Sequence, residues 1–224
     1  GLYDKSKSRT NRAEANAIVE EIARRLSDPA LSDQSVGVVT FSVAQQALIE
    51  DLLDMNRIVS GKFDVESSQV SLAQLINQAV DAVQPMADEK HLTLETALEP
   101  LTKAVYGDAA RLQQVFWNLL TNAIKFTPEG GRISVLLREE NGRAMAAFAD
   151  TGEGIEPAFL PQLFTRFSQG EVNISKRKRG LGLGLAICKA IVEHHGGSIA
   201  AASRGKGAGA TFSVTLPLCE SQRE

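Results

Sequence analysis

Apolar residues recur along this chain at two periods, and the switches between them mark out the elements. Over 12–26, Ala13, Ala17, Ile18, Ile22 and Leu26 recur at helical spacing, and Asp28 followed by Pro29 ends the run. Residues 35–41 (SVGVVTF) form a short β-branched run, which predicts a strand. A long helix follows over 43–59 and breaks at Ser60 and Gly61. Residues 65–71 read as a strand leading into a helix at about 72–90, with two more strands at 92–97 and 104–106. Within 112–127 (LQQVFWNLLTNAIKFT), Leu112, Val115, Phe116, Leu119, Leu120 and Ala123 form one stripe of a helix. Strands at 132–138 and 143–150, a polar stretch at 168–179, a helix at 183–194 and strands at 198–203 and 210–216 complete the pattern. Several mainly antiparallel strands with helices on one face predict an α+β fold, a two-layer sandwich. There is no internal repeat.

The polar positions carry the chemistry. Asn118, Asn122 and Lys125 stand at i, i+4 and i+7 and so share a second face of the 112–127 helix. An amide oxygen suits a hard cation, and an ammonium is a point charge for phosphate. Taken alone, such a face is equally that of an ordinary solvated helix. Two glycine clusters follow. In 146–155 (AAFADTGEGI) an apolar strand ends at Asp150 and a turn holds Gly152 and Gly154; in 180–187 (GLGLGLAI) Gly180, Gly182 and Gly184 alternate with leucines and open a helix. Glycine permits close backbone approach, and a helix N-terminus offers N–H groups to an anion. The chain has neither the G-x-x-x-x-G-K-[ST] loop nor a G-x-G-x-x-G that opens a βαβ unit.

Composition narrows the classes. The 224 residues suffice for one full domain plus a smaller element, and a formal net charge of −3 supplies no basic field for nucleic acid. Two cysteines, Cys188 and Cys219, make no disulfide framework. No apolar run reaches the length of a membrane span, and residues 1–11 are polar rather than signal-like, so a soluble chain is expected.

In this order and spacing, the elements resemble the ATP-binding domain of sensor histidine kinases, in the superfamily shared with gyrase, Hsp90 and MutL. Residues 112–127 match its N box, 150–155 its first glycine box, 163–167 (LFTRF) its F box and 180–187 its second glycine box. Residues 207–212 (GAGATF) resemble the glycine motif before the last strand, 213–218, and the likeness runs from about 48 to 218. It implies a mixed, mainly antiparallel sheet over 64–219, preceded by a helical segment at 1–63 and followed by a tail at 220–224.

The N-terminal segment departs from that pattern. A kinase of this kind has a hairpin helix with a phosphoacceptor in an H-E-x-x-T-P context, yet no histidine precedes His91. Residues 48–63 (LIEDLLDMNRIVSGKF) look like the end of the second hairpin helix. Residues 9–54 resemble a fragment of the second RecA-like domain of superfamily-one helicases, so that two families meet at LIEDLLD. The alternative is a divergent hairpin. Without the helicase ATP-binding loop, helicase activity is excluded.

The resemblance implies roles residue by residue. Asn122 would coordinate Mg²⁺, Asn118 would support metal or phosphates, Lys125 would neutralise phosphate, and Phe126 would line the ribose or adenine. Asp150 would accept the adenine amino hydrogen, with Gly152, Gly154 and Ile155 closing on the base. Gly180, Leu181, Gly182, Leu183, Gly184 and Leu185 would lay backbone N–H groups against the phosphates. Relatives often carry Ser or Thr where Leu181 stands. Phe164 and Phe167 would pack the base of a lid at 168–179, or be core aromatics. Arg166 would reach the γ-phosphate or stay exposed, and Thr211 of the closing motif joins the nucleotide set. ATP and Mg²⁺ are the implied cofactors. The implied partners are a phosphoacceptor hairpin, a response-regulator receiver and, as one arrangement, a second copy of the chain. The implied location is the cytoplasm, free or as the soluble part of a membrane-associated sensor system.

One position divides the superfamily. Its ATPases place a glutamate one turn before the metal-binding asparagine to deprotonate water, whereas this chain has Asn118, and an amide is no general base. Phosphoryl transfer to a neutral imidazole depends mainly on alignment and charge neutralisation. The resemblance therefore favours a histidine kinase, with a nucleotide-binding module lacking turnover as the alternative and a hydrolytic ATPase disfavoured. Of the chain's own histidines, His91, His194 and His195 each lack a following carboxylate.

Overall fold

The computed structural model describes residues 12–26, 43–61, 63, 65–168 and 182–219. The strand expected at 35–41, which carries part of the helicase likeness, lies outside these residues, as do 169–179, Gly180 and Leu181. The order is α1 (Arg12–Leu26), α2 (Val43–Val59), β1 (Ser68–Val70), α3 (Leu72–Glu89), β2 (Thr93–Leu98), β3 (Val105–Gly107), α4 (Ala109–Phe126), β4 (Arg132–Glu140), β5 (Arg143–Asp150), a 3₁₀ turn (Leu160–Gln162), α5 (Gly184–His194), β6 (Ser198–Ala202) and β7 (Ala210–Pro217). Among these residues no helix is long and apolar enough to cross a membrane.

The five-stranded sheet runs β2-β4-β5-β7-β6, with β2 parallel to β4 and every other pairing antiparallel. Strand alternation turns Ile133, Val135 and Leu137 of β4, Ala144, Ala146 and Phe148 of β5, and Phe212, Val214 and Leu216 of β7 to one buried face. Helices α3, α4 and α5 cover that face, with α4 between the other two. Leu112, Val115, Phe116, Leu119, Leu120, Ala123 and Ile124 are all buried, and the Phe116 and Phe148 rings stand 5.6 Å apart. β1 and β3 form a separate antiparallel ribbon.

Caps set the helix starts. The Ser71 hydroxyl accepts from Gln74 N–H at 3.4 Å and the Asp108 carboxylate from Arg111 N–H at 3.1 Å. α1 corrects its expected stripe: Ala15 and Val19 are buried against Leu48 and Ile49 of α2, while Ala17 is exposed. Ile18 and Ile22 of the expected stripe are kept, Ile18 packed on that cluster and Ile22 buried, so the buried face is turned toward Val19 and away from Ala17.

Helix α2 also reaches the main core. Met55 is buried in it, and Asp54, only 5% exposed, receives Arg111 Nη1 at 3.0 and 2.9 Å and Gln114 Nε2 at 2.9 Å. The Arg111 guanidinium in turn lies 5.0 Å from the Phe63 ring centroid. These contacts tie α2 to the first turns of α4.

One turn earlier, Asp51 is half-buried and has no ion pair or hydrogen bond among the described residues. Burial first, then the charges of Asp54 and Glu50, push its carboxyl up from 3.8 to about 6. The folded chain therefore holds this proton more tightly than the unfolded chain, and raising the pH from about 4 to about 6 removes stability. Asp51→Asn is expected to stabilise the protein by about 2 kcal/mol at neutral pH and by nothing near pH 3. Denaturant unfolding of both proteins across that range checks this; a constant difference would contradict it.

Candidate functional site

The burial of one side of α4 leaves Asn118, Asn122 and Lys125 half-buried along another. The Asn122 amide has no hydrogen-bond partner among the described residues, and Asn118 Nδ2 is buried without one. Burying an amide donor with no nitrogen or oxygen acceptor costs free energy, so Asn118 is an unusual residue for an ordinary helix face. Asn118 interacts with the Cys188 sulfur, a weak acceptor, and only partly offsets the burial that pushes that thiol up to about 12. The Lys125 ammonium stands 4.9 Å from the Phe126 ring centroid.

At the C-terminal end of β5, the Asp150 side chain folds back on the turn. Its Oδ1 accepts from Gly152 N–H at 2.8 Å and Ala210 N–H at 3.3 Å, which leaves Oδ2 without a donor among the described residues. Burial raises the Asp150 carboxyl above the usual range, and the two backbone hydrogen bonds oppose it. The turn fits against the end of α4. Glu153 N–H donates to Phe126 O at 3.1 Å, and a Cβ on Gly152 would lie 2.5 Å from that oxygen. Gly154, at φ +69°, packs its backbone on Gly205 O, where any side chain would collide. Two residues beyond the expected set complete this cradle. The Ser203 hydroxyl accepts from Ile155 N–H at 2.9 Å and donates to Gly209 O at 2.7 Å, and Gly209 packs directly on Asp150 O. Glycine in the closing motif was legible in the sequence, but Ser203 carries no motif signal.

The second glycine segment meets α4 from the other side. Gly184, the first residue of α5, has Asn118 Nδ2 3.7 Å from where its Cβ would be, and no side chain caps this helix start. Gly182, at φ +69°, accepts from Phe167 N–H at 3.0 Å, so this segment is joined to the F box. The Leu183 side chain is fully buried, so only its backbone is available to a ligand, and Leu185 is partly buried against the core.

Other expected members lie elsewhere. Phe164 is packed edge-on to Phe212, with centroids 6.4 Å apart, whereas Phe167 is 52% exposed. Arg166 is exposed and lines a groove of about 340 Å³ with Met55 and Ile58 of α2 and Ala186, Lys189 and Glu193 of α5. Thr211 pairs with Ala149 and Ala202 on the sheet face opposite Phe212, away from the helices.

Residues 107–220 match the family described as "Histidine kinase-, DNA gyrase B-, and HSP90-like ATPase". The chain belongs to this family. The fold of the histidine kinase-like ATPases and their ATP binding thus apply to it. Over 206 residues the chain is 34% identical to hybrid signal transduction histidine kinase D of Dictyostelium discoideum, covering 78% of this chain and 13% of that protein. It spans between 13% and 28% of the length of the curated relatives it matches. The mycobacterial sensor histidine kinase MprB structure is 28% identical with TM-score 0.59, covering 70% of this chain and 99% of that one. Full-length ShkA in complex with AMPPNP shares the fold at 24% identity and TM-score 0.69, over 94% of this chain and 47% of its own.

Seen as a member of this family, the site has a donor set suited to a nucleotide-borne cation. Among the described residues no group of three or more His, Cys, Asp or Glu could hold a metal. A hard ion here would take most of its ligands from phosphates and water, as Mg²⁺ commonly does, with the unpartnered Asn122 amide supplying an oxygen.

The Asp150 geometry generates a test. Asp150→Asn is expected to weaken ATP binding about tenfold and to erode the preference for ATP over GTP, because a carboxylate accepts from an amino group and repels a carbonyl. In the wild type, affinity should fall on acidification at a higher pH than an ordinary carboxylate would give, since burial has raised this group. Calorimetric titration with both nucleotides reads each effect. Unchanged selectivity would remove Asp150 from the site.

Proposed function

We propose that this domain binds MgATP as the catalytic part of a protein-histidine kinase, transferring the γ-phosphoryl group to a histidine on another chain or on a segment outside this sequence. The observation that carries the reading is Asn118. It stands one turn before Asn122 on the half-buried polar side of α4, at the position where water attack would need a carboxylate base. Asn122 would hold Mg²⁺, which when bound would supply positive charge to the phosphates. Lys125 adds a second positive charge, and the uncapped start of α5 offers N–H groups to the same anion. Asp150 orients the adenine through Oδ2 while its Oδ1 stays tied to the glycine turn. Alignment and charge neutralisation then suffice for an acceptor that is already nucleophilic.

The chain's own histidines fit structural roles. His195 is buried; its Nε2 accepts from Asp108 N–H at 2.9 Å, which places the proton on Nδ1, 2.7 Å from Ile191 O. Both nitrogens of the ring are thus engaged with backbone groups. His194 lies 2.8 Å from Ala190 O and edge-on to Phe63. His91 is exposed and 3.6 Å from Glu129, itself exposed, a pairing worth little in water. The absence of any histidine from α1 and α2 favours, as a second reading, a nucleotide-binding module without turnover. Under either reading we divide the chain into a helical segment at 1–63, the ATP-binding domain at 64–219 and a tail at 220–224. A phosphoacceptor hairpin and a downstream response-regulator receiver are the proposed partners.

Asn122→Ala is expected to weaken Mg²⁺-dependent ATP binding about tenfold, and Asn118→Ala by less, since only Asn122 is assigned to the ion. Equal affinities in wild type and Asn122→Ala, titrated with and without Mg²⁺, would refute the assignment. Incubated with labelled ATP, the chain alone should form no acid-labile, base-stable phosphoryl group, whereas a supplied hairpin carrying an H-E-x-x-T-P helix should be labelled. Self-labelling at His91, His194 or His195 would overturn the reading of an acceptor in trans. Binding with no transfer to any hairpin would select the module without turnover.

A further inference from the structure

The carbonyl oxygens at the C-terminal end of α4 can be accounted for one by one. A helix leaves its last four carbonyls without intrahelical donors. Ala123 O accepts from Thr127 N–H at 3.0 Å and from Thr127 Oγ1 at 2.6 Å. Ile124 O accepts from Lys90 Nζ at 2.5 Å, and Lys125 O from the same ammonium at 3.4 Å. Phe126 O accepts from Glu153 N–H at 3.1 Å. Lys90 Nζ also donates to Thr127 O at 2.6 Å, so its three donors are directed at three carbonyls. The backbone returns the contact, because Gly130 N–H donates to Lys90 O at 3.2 Å.

Lys90 is the C-cap of α3, on a different element from every candidate ligand contact. Its charge faces the negative end of the α4 dipole from a half-buried position, where such hydrogen bonds are strongest. The last turn of α4 is therefore held both by Lys90 and by the β5 turn. The Phe126 carbonyl is the hinge of that arrangement. It receives Glu153, leaves no room for a side chain at Gly152, and Gly152 in turn holds Asp150 Oδ1.

We infer that Lys90 is a positioning residue for nucleotide binding: its ammonium holds the last turn of α4 against the β5 turn, so that Lys125 and Asp150 address one ligand. This rests on the nucleotide site proposed above. The test uses the full chain with Lys90→Met and Lys90→Arg, titrated with MgATP, and follows exchange of the Glu153 amide. Lys90→Met is expected to bind MgATP about fivefold more weakly and to exchange the Glu153 amide faster, with amides in β4 and β5 unchanged. Lys90→Arg, which keeps a cationic donor, should stay within about twofold of wild type. Wild-type affinity and Glu153 exchange in Lys90→Met would overturn the inference. So would equal loss in both variants, or a loss of protection spread evenly over the sheet. If the wild type itself bound no MgATP, the nucleotide reading would fail, and with it a role for Lys90 in binding; the exchange of Glu153 would then report only whether the clamp is real. If Lys90→Met does not fold, Lys90→Gln, which keeps a neutral donor, carries the same comparison.

Discussion

The apolar side of α4 is buried between the sheet and the helices beside it, and this burial orients the candidate site. Each large side chain on that face contributes roughly 1.5–3 kcal/mol by leaving water. Rotating the helix by one residue would expose several of them and drive amides into the core, where an unpaired amide costs several kcal/mol more. The helix therefore has one acceptable rotation about its axis, and that rotation presents Asn118, Asn122 and Lys125 together. Phe148 of β5, packed against Phe116, places the strand that ends in Asp150 under the same helix. The polar face is positioned by the apolar one.

Both ends of α4 are held by side chains from distant parts of the chain. At the start, the Asp108 carboxylate caps the helix while its N–H donates to His195, and a Cβ on Gly107 would lie 2.6 Å from that imidazole. This explains a glycine at the end of β3 and a buried histidine at the end of α5. Arg111, bound to Asp54 and set over Phe63, adds the tie to α2. Such a tie between the helical segment and the ATP-binding domain is desolvated on the Asp54 side, so separating the two elements would leave a carboxylate without its donors.

The two glycine segments play different physical parts. Around Asp150 the glycines are set by close packing: Gly152 on Phe126 O, Gly154 on Gly205 O and Gly209 on Asp150 O, each with backbone where a side chain would be. At the start of α5, Gly182 takes a positive φ to reach the F box, and Gly184 has only ordinary contacts with Asn118. The first set packs the turn beside Asp150 tightly, and the second leaves the start of α5 without a side-chain cap; the proposed site gives the base to one and the phosphates to the other. The amide at Asn118 inclines the proposed chemistry to transfer rather than hydrolysis.

The helices and strands of the ATP-binding domain were legible from hydrophobic period alone, because each has one face in a core and that leaves a trace every two or every three to four residues. The six stripe residues of 112–127 are all buried, with Ile124 added. In α1 the period was readable but the face only in part: Ile18 and Ile22 turn inward as expected, while Ala15 and Val19 rather than Ala17 join them, because a short helix is oriented by its partner, here Leu48 and Ile49 of α2. The amides, Asp150 and the glycines stood out because their residue types are unusual at those positions. Sequence could not say that Phe164 lies on Phe212, that Arg166 faces a groove beside α2, or that Thr211 lies on the far side of the sheet. Lys90 and Ser203 were invisible for the same reason. Their partners are backbone carbonyls and N–H groups, which every residue possesses, and only the tertiary structure decides which of them a side chain will meet.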